Sequence, residues 1–367
     1  MSIRVFAVDD SALLRQTLQQ LLKDDADIEW LGAAPNPLIA APLIRKLKPD
    51  VLLLDIEMPG MDGLTFLRQL MDESPIPTVI CSTLTEKGSK VALEALAAGA
   101  VAVVAKPRLG LKQYLEDSRR ELVQTLRAAA RSRPMARSGS TVAAVAAARA
   151  QPATADRSSG VPLAAGTAAL AGLHALSMNK PVLIGSSTGG TQAIESVLLS
   201  LPADSPGIAI VQHMPERFTA MYAERLNGVC AVRVREAKDG DRLERGVVLI
   251  APGGRHMQLR KAGGQYFAVI SDGPQVNRHK PSVDVLFRSA AECAGRDALA
   301  IMLTGMGDDG ARGMKLLHDK GARTIAQNEA TCVVFGMPAE AIKLGAVDEV
   351  LPIQLVAQAI TRFDARG

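Results

Sequence analysis

Five polar side chains each follow a strand-like run in the first third of the sequence. They are Asp9, Asp10, Asp55, Ser82 and Lys106. Because ligands of parallel α/β sheets bind at the carboxyl ends of the strands, we expect these side chains to meet in one crevice. Carboxylate oxygens suit a hard divalent cation such as Mg²⁺, and a carboxylate beside that cation and an ammonium group can accept a phosphoryl group. Each residue alone fits a helix cap or a loop start better, but five at successive strand ends indicate a site.

A second kind of chemistry is indicated at residues 185–190, where a strand-like run turns sharply into a helix. Gly185-Ser-Ser187-Thr-Gly189 fits G-x-S-x-G, the nucleophile elbow that presents a serine oxygen at the start of a helix. Glycine-rich turns before helices also bind phosphate groups, and a simple tight turn has the same composition. The motif alone does not separate these three interpretations.

A general base and an orienting acid are predicted at other strand ends of the same half. His213 directly follows the strand-like run Ile208–Gln212, where a general base would stand. Asp309 lies in a glycine-rich loop after another apolar run and can orient an imidazole, while loop amides near Met306 can stabilise an oxyanion. The order serine, histidine, aspartate differs from that of α/β-hydrolases, so the topology of that fold does not follow.

The elements that carry these residues form two α/β units. Strand-like and helix-like segments alternate through residues 1–126 and again through residues 178–367, which predicts parallel sheets with helices on both faces. Residues 127–177 between them are rich in alanine, serine, glycine, proline and arginine, which predicts a flexible linker. Six arginines stand against one aspartate in residues 127–179, so the basic excess of the chain lies there and not on a folded face.

Composition excludes several classes of protein. The chain has 367 residues, 48% hydrophobic and 22% charged, which is ordinary for a globular protein. Four cysteines without a CxxC pair indicate neither disulfides nor a zinc site. No apolar run approaches the ~20 residues of a membrane span, and the N-terminus has the pattern of a strand and not of a signal peptide. We therefore expect a cytoplasmic protein without membrane insertion, and the 3% aromatic content argues against nucleic-acid binding.

The first domain resembles a response-regulator receiver domain over residues 1–126. The motifs are Val-Asp9-Asp10-Ser, Leu-Asp55-Ile-Glu-Met-Pro-Gly-Met-Asp-Gly63, Ser82-Thr83 and Lys106-Pro107. The resemblance implies a flavodoxin-like fold in which Asp55 accepts phosphate from a histidine kinase of the chemotaxis type. It further implies that Asp9, Asp10 and Asp55 hold Mg²⁺. Ser82 and Lys106 would be the switch residues that contact the phosphoryl group.

The second domain resembles the catalytic domain of the chemotaxis protein-glutamate methylesterase/deamidase family, CheB. The motifs are Ile-Gly-Ser-Ser187-Thr-Gly-Gly, Gln-His213-Met-Pro, Ala-Pro-Gly-Gly-Arg-His256-Met, His279-Lys-Pro-Ser-Val-Asp284 and Thr-Gly-Met306-Gly-Asp-Asp309-Gly. The resemblance implies a doubly wound α/β/α fold with Ser187 as nucleophile, His213 as base and Asp309 as orienting acid. It places the Met306 and Thr188 backbone at the oxyanion hole and His256 on the substrate side, and it implies no cofactor in this domain.

Together the two resemblances imply a phosphorylation-regulated serine hydrolase of chemotaxis adaptation. It would demethylate glutamate γ-methyl esters on methyl-accepting chemoreceptors and deamidate glutamines there. Three other interpretations are a binding module without catalysis, a response regulator with a DNA-binding output and an esterase for a small metabolite. The triad residue types argue against the first, a large α/β second half argues against the second, and the receiver argues against the third.

Overall fold

The computed structural model describes residues 2–58, 63–82, 86–106, 112–132 and 180–365. The predicted linker lies outside the described residues, apart from residues 127–132. These six residues continue a helix and the turn after it, so the first unit extends as regular structure to about Ala130. The division into domains at residues 126 and 178 stays a prediction.

The first unit is a five-stranded parallel sheet with strand order β2-β1-β3-β4-β5. Its strands are β1 (Ile3–Val8), β2 (Ile28–Ala34), β3 (Val51–Leu54), β4 (Thr78–Ser82) and β5 (Ala102–Ala105). Its helices are α1 (Ala12–Leu22), α2 (Pro37–Leu47), α3 (Gly63–Glu73), α4 (Glu86–Ala97) and α5 (Lys112–Ala130). The central strands β1 and β3 are buried, and this leaves their carboxyl ends as the place where polar side chains meet.

The second unit is built on a seven-stranded parallel sheet with strand order β15-β14-β13-β6-β7-β10-β8. Its strands are β6 (Val182–Ser186), β7 (Ile208–Gln212), β8 (Arg233–Glu236), β10 (Val247–Ile250), β13 (Leu299–Met302), β14 (Arg323–Gln327) and β15 (Glu349–Leu351). Its helices are α6 (Gly190–Leu199), α7 (Glu216–Val229), α8 (Val283–Cys293), α9 (Ala311–Asp319), α10 (Met337–Lys343) and α11 (Ile353–Ala365). The predicted class, two α/β units with mostly parallel sheets, is confirmed.

A small antiparallel sheet stands apart from the large one and has strand order β11-β12-β9. Its strands are β9 (Arg242–Leu243), β11 (His256–Ala262) and β12 (Gln265–Ser271). A two-residue turn joins β11 to β12, and both of its glycines, Gly263 and Gly264, have positive φ, as this kind of hairpin requires. The sheet carries His256 as the first residue of β11.

The two units touch through α4 of the first and through α6 and α7 of the second. The side-chain amide of Gln192 on α6 donates to two backbone carbonyls, at 2.7 Å to Leu96 in the last turn of α4 and at 2.9 Å to Ala100 in the loop after it. Val333, in the loop before α10, packs against the hydrophobic core of the first unit. Within the described part of the chain, no helix combines the length and the apolar character that crossing a membrane requires.

Candidate active site

The turn after β6 holds Ser187 between the sheet and a helix. The backbone amide of Ser187 donates to the carbonyl of Thr304 at 3.0 Å, which ties the turn to the loop after β13. Gly189 follows with φ of +77°, and a Cβ atom there would lie 2.4 Å from Val333. Because only glycine fits both this φ and this contact, the chain can turn tightly enough to start α6 at Gly190.

The two adjacent serines of this turn have different surroundings. Ser186 is fully buried, and its hydroxyl donates to the side-chain carbonyl of Gln212 at 2.6 Å. Ser187 is only partly buried, and its hydroxyl forms no hydrogen bond with any part of the chain that the structure describes. Ser187 is therefore the serine with a hydroxyl free to react.

His213 lies beside this turn because the strands β6 and β7 are neighbours. Their last register pair is Ser186 with Gln212, so Ser187 and His213 occupy the next positions of the two chains. Nε2 of His213 lies 2.8 Å from the Oδ2 atom of Asp309, and the side chain is 7% exposed. Nδ1 is buried and has no hydrogen-bond partner among the described residues. With Nε2 donating to a carboxylate, Nδ1 is the nitrogen with a free lone pair.

Asp309 is buried, and five donors surround its carboxylate at distances of 2.7–3.3 Å. They are Nε2 of His213, Nδ2 of Asn277, Oγ of Ser282 and the backbone amides of Val283 and Asp284. Burial by itself raises the pKa of Asp309, but the hydrogen bonds from His213, Asn277 and Ser282 outweigh it and hold the pKa well below the ordinary value. The carboxylate is thus ionised whenever the protein is near neutral pH, and it fixes the proton of His213 on Nε2.

The imidazole of His279 is stacked on that of His213. The ring centroids are 3.6 Å apart, and the planes differ by 10°. Burial, and then the neighbouring His213, lower the pKa of His279 to about 3. His279 is therefore neutral near pH 7, so it stacks on the His213 ring without repelling the positive charge that His213 would acquire as a base.

Two backbone amides near Ser187 are available for an oxyanion. Among the described residues, neither the amide of Thr188 nor that of Met306 donates a hydrogen bond. The loop that carries Met306 is pressed against the serine, because a Cβ atom on Gly305 would lie 2.8 Å from the Cβ atom of Ser187. Two free amide donors near the hydroxyl could stabilise the negative charge on the oxygen of a tetrahedral intermediate.

His256, expected on the substrate side, has both ring nitrogens engaged with the chain. Nε2 donates to the carbonyl of Pro274 at 2.9 Å, and Nδ1 accepts from the amide of Ser282 at 3.3 Å. The side chain is buried. It anchors the segment that carries His279 and leaves no ring nitrogen for a substrate.

Sequence reasoning did not assign roles to three polar residues that shape the site. Gln212 donates to the carbonyls of Ser187 and His213 at 2.9 Å and 3.0 Å, which fixes both turns. Asn277 joins Asp309 to Asp284, and the hydroxyl of Ser282 donates to Asp309. The available signal was weak, since Gln212 stands at the end of a strand and Ser282 directly precedes a helix.

The first unit contains a separate acidic pocket at the carboxyl ends of β1, β3 and β5. Nζ of Lys106 lies 2.7 Å from Asp55 and 3.3 Å from Asp9, and both carboxylates are buried. Oxygen atoms of Asp9, Asp10 and Asp55 lie within 4.8 Å of one another. Ser82, the last residue of β4, accepts a backbone hydrogen bond from Lys106 through its carbonyl at 2.9 Å.

The charges of this pocket fit a divalent cation. Burial, and then the charge of Asp55, raise the pKa of Asp9, although Lys106 acts in the opposite direction. Oδ2 of Asp9 is buried, with Nζ of Lys106 at 3.3 Å as its ion-pair partner. One ammonium therefore stands against three clustered carboxylates, whose oxygens are of the type that Mg²⁺ binds.

The cysteines of the described residues offer no rival nucleophile. Burial raises the pKa of Cys332, which lies near Thr304, to about 12 and that of Cys81 to about 12. Burial likewise raises the pKa of Cys230 to about 11. A thiol is a poor nucleophile until it ionises, so these groups are inert near neutral pH.

The fold and the two sites define a class of protein, a hydrolase of the serine type joined to a response-regulator receiver. Models of two families match the chain, "Response regulator receiver domain" at residues 5–115 and "CheB methylesterase" at residues 182–360. The chain belongs to the CheB methylesterase family.

Two relatives of similar length support this membership through their sequences, and one solved structure of a single domain is also similar in sequence. A protein of Chromobacterium violaceum named protein-glutamate methylesterase/protein-glutamine glutaminase 1 is 54% identical, over 97% of this chain and 98% of its own. A protein of the same name from Xanthomonas oryzae pv. oryzae is 55% identical, over 96% and 98%. The crystal structure of the Thermotoga maritima CheB methylesterase catalytic domain is 38% identical, with a TM-score of 0.49, and covers 50% of this chain and 98% of that chain.

Proposed function

We propose that this chain is a protein-glutamate methylesterase and protein-glutamine glutaminase that acts on chemoreceptors. The observation that supports it best is the pair formed by a hydroxyl without a partner on Ser187 and an imidazole, His213, oriented by a buried carboxylate. The names of its relatives supply the substrate class, a glutamyl γ-ester or a glutamine in a protein.

The geometry of the site supports the following course of the reaction. The oxygen of Ser187 attacks the γ-acyl carbon while Nδ1 of His213 takes its proton, and the amides of Thr188 and Met306 bind the resulting oxyanion. His213 then gives the proton to the leaving group, which departs as methanol or ammonia. Water hydrolyses the γ-glutamyl ester on the serine by the same route and leaves a glutamate. One site serves both substrates, since only the leaving group differs.

The direct test is methanol release from methylated chemoreceptor membranes. The whole chain should release methanol, and it should convert selected receptor glutamines to glutamate, detected by mass spectrometry of receptor peptides. A chain that binds the receptor but releases neither methanol nor ammonia would be a binding module, and the proposal would be wrong.

The receiver domain would regulate the activity of the hydrolase domain. Asp55 would accept phosphate from a histidine kinase, with Mg²⁺ held by Asp9, Asp10 and Asp55 and with Lys106 beside the phosphoryl group. The cation brings two negatively charged groups together by neutralising them. The lysine is already 2.7 Å from Asp55, so a new phosphoryl oxygen would compete with that carboxylate for the ammonium. Ser82, the other switch residue, would also contact the phosphoryl group.

Phosphorylation should occur at Asp55 alone and should need the cation. Intact-mass measurement after treatment with a small phosphodonor and Mg²⁺ should show one added phosphate. It should be absent from Asp55→Asn and in the presence of EDTA. Asp50→Asn, on the edge of the same unit, is the matched control and should be labelled normally. Labelling that persists in both Asp55→Asn and EDTA would contradict the assignment.

The contact between the units would hold the unphosphorylated enzyme at a low rate. Val333 touches both the core of the receiver and Gly189, two residues after the nucleophile. A docked receiver therefore reaches the active-site turn through one side chain. It inhibits only to the extent that it binds the closed state better than the open one.

Loss of the Gln192 hydrogen bonds should release this inhibition in part. Gln192→Ala removes two hydrogen bonds to the end of α4 and the loop after it, together worth about 2 kcal/mol, so the basal rate should rise by up to about thirtyfold. The measurement is methanol release by the whole chain carrying Asp55→Asn, which keeps it unphosphorylated. Gln354→Ala, on the exposed side of α11, is the matched control. An unchanged basal rate would show that this contact does not restrain the enzyme.

A further inference from the structure

The loop that carries His279 contains a two-residue turn with an unusual sequence. Val276 and His279 pair as an antiparallel bridge, with hydrogen bonds of 3.1 Å and 3.0 Å in the two directions. The two residues between them, Asn277 and Arg278, have φ of +50° and +69°. Turns with positive φ at both central residues favour asparagine followed by glycine. This chain has arginine where glycine would fit best.

Of the two central residues of this strained turn, Asn277 has a side chain that is held by hydrogen bonds. Nδ2 of Asn277 donates to Asp284 at 2.7 Å and to Asp309 at 2.8 Å, which fixes the first turn residue to the buried carboxylates of the site. No such contact holds the side chain of Arg278, which is exposed. The backbone of a bulky residue in the left-handed region persists only where its surroundings impose it, and such positions cluster at functional sites.

Arg278 has no partner for its charge within the described residues. Three acidic side chains on the neighbouring segments are already engaged: Asp272 pairs with Lys280, Asp284 with Arg288 and Asp309 with His213. An arginine with five donors and no acceptor is thus presented to solvent one residue from His279, which is stacked on His213.

We propose that Arg278 is a specificity-determining residue that binds a carboxylate of the substrate protein next to the scissile γ-glutamyl group. A guanidinium group matches a carboxylate in shape and can donate two parallel hydrogen bonds to it. The reaction itself creates such groups, since each ester or amide that is hydrolysed becomes a glutamate. A receptor segment with several modifiable positions therefore presents carboxylates beside the remaining ones. This inference rests on the proposed function.

The test separates the charge of Arg278 from the strain of its backbone. Arg278→Gly removes the charge and relieves the strain, so it should raise the melting temperature by about 2–4 °C. Arg278→Asn also suits the turn without the charge, and Arg278→Lys keeps the charge. The matched control is Arg362→Gln, an exposed arginine on α11 with no ion pair in the described part of the chain. Methanol release from methylated receptor membranes is measured with each whole-chain variant at 50 and 300 mM salt.

Arg278→Gly and Arg278→Asn should raise KM about tenfold with kcat within about twofold, because a charge-assisted hydrogen bond to substrate is lost. Their KM should also depend less on salt than that of the parent chain. Arg278→Lys should stay within about threefold of the parent, and Arg362→Gln should match it.

A KM that Arg278→Gly leaves unchanged would overturn the inference. So would a fall in kcat at constant KM, because that result would mean that the turn only positions His279. If either occurs while Ser187→Ala is inactive, the proposed function stands and only the role of Arg278 fails. If the parent chain releases no methanol, the proposed function and this inference fail together.

Discussion

Replacement of Ser187 by alanine should abolish both methanol and ammonia release. Ser187 and His213 occupy adjacent positions after β6 and β7, Nδ1 of His213 has no hydrogen-bond partner among the described residues, and burial raises the pKa of the Cys332 thiol. Loss of a triad nucleophile removes about 10⁶-fold in rate, and only the weak effect of the oxyanion donors remains. Turnover should therefore fall below detection in an assay on methylated receptor membranes. The hydroxyl forms no hydrogen bond with the part of the chain that the structure describes, so its removal should leave the melting temperature unchanged.

The adjacent serine gives the matched control. Ser186→Ala removes a hydrogen bond to Gln212 and leaves a buried carbonyl oxygen unsatisfied, at a cost of about 1–3 kcal/mol of stability. Its kcat should stay within a few fold of the parent, because Gln212 still holds the carbonyls of Ser187 and His213. Ser187→Ala should thus be inactive but as stable as the parent, whereas Ser186→Ala should be active but less stable. Near-normal turnover by folded Ser187→Ala would show that the nucleophile is elsewhere.

Replacement of Asp309 by asparagine should lower kcat about 10⁴-fold, by analogy with triad enzymes. In the parent protein, the carboxylate of Asp309 keeps the proton of His213 on Nε2 and the lone pair on Nδ1. An asparagine amide facing Nε2 would favour the other tautomer, in which Nδ1 carries the proton and cannot accept one from Ser187. Single-turnover methanol release measures this loss. Asp308→Asn, one residue away and partly exposed, is the control and should retain most of the activity.

The same substitution should destabilise the protein with a defined pH dependence. The hydrogen bonds around Asp309 lower its pKa, so its contribution to the free energy of unfolding is complete above the ordinary carboxyl pKa and declines only in more acidic solution. Urea unfolding should therefore show the same gap between Asp309→Asn and the parent at pH 7 and at pH 5. A gap that disappears by pH 5 would mean that the carboxyl is already protonated there.

Much of the second unit could be predicted because its signals are local. The apolar run before residues 185–190 and the glycines after it predict a strand, a turn and a helix, and these are β6, the turn of Ser187 and α6. The strands β11 and β9 were not predicted. β11 alternates buried and exposed residues weakly, and β9 has only two residues, so each exists because of its partner β12.

In the first unit, too, local sequence signals do not predict every element. The strand β2 and the helix α2 were missed, because β2 is an edge strand with mostly half-exposed residues and α2 contains an internal proline, Pro42. Asn36 caps α2 by accepting the amide of Ile39 at 3.0 Å, a signal that was present but short. Both β2 and α2 therefore form because of their packing against the rest of the unit.

The details of the active site depend on the order of strands across the sheet. β6 and β7 follow one another in the chain, whereas β13 comes much later in the sequence and lies on the other side of β6, and this order brings the loops of Asp309, Ser187 and His213 together. Which ring nitrogen faces the acid, and which of two serines is held by Gln212, follow from register and not from residue type. The sequence contains the residue types, whereas the fold determines which atoms meet.

The two acceptors that Gln192 uses, one in the last turn of α4 and one in the loop after it, are carbonyl oxygens of the main chain. Every amino acid carries that group, so substitutions along the outer surface of α4 leave both hydrogen bonds in place as long as the helix ends at the same residue. For these two hydrogen bonds, the requirement for a particular side chain falls on the second unit alone. At the two acceptor positions the first unit can therefore change its side chains in evolution without losing this part of its contact with the second unit.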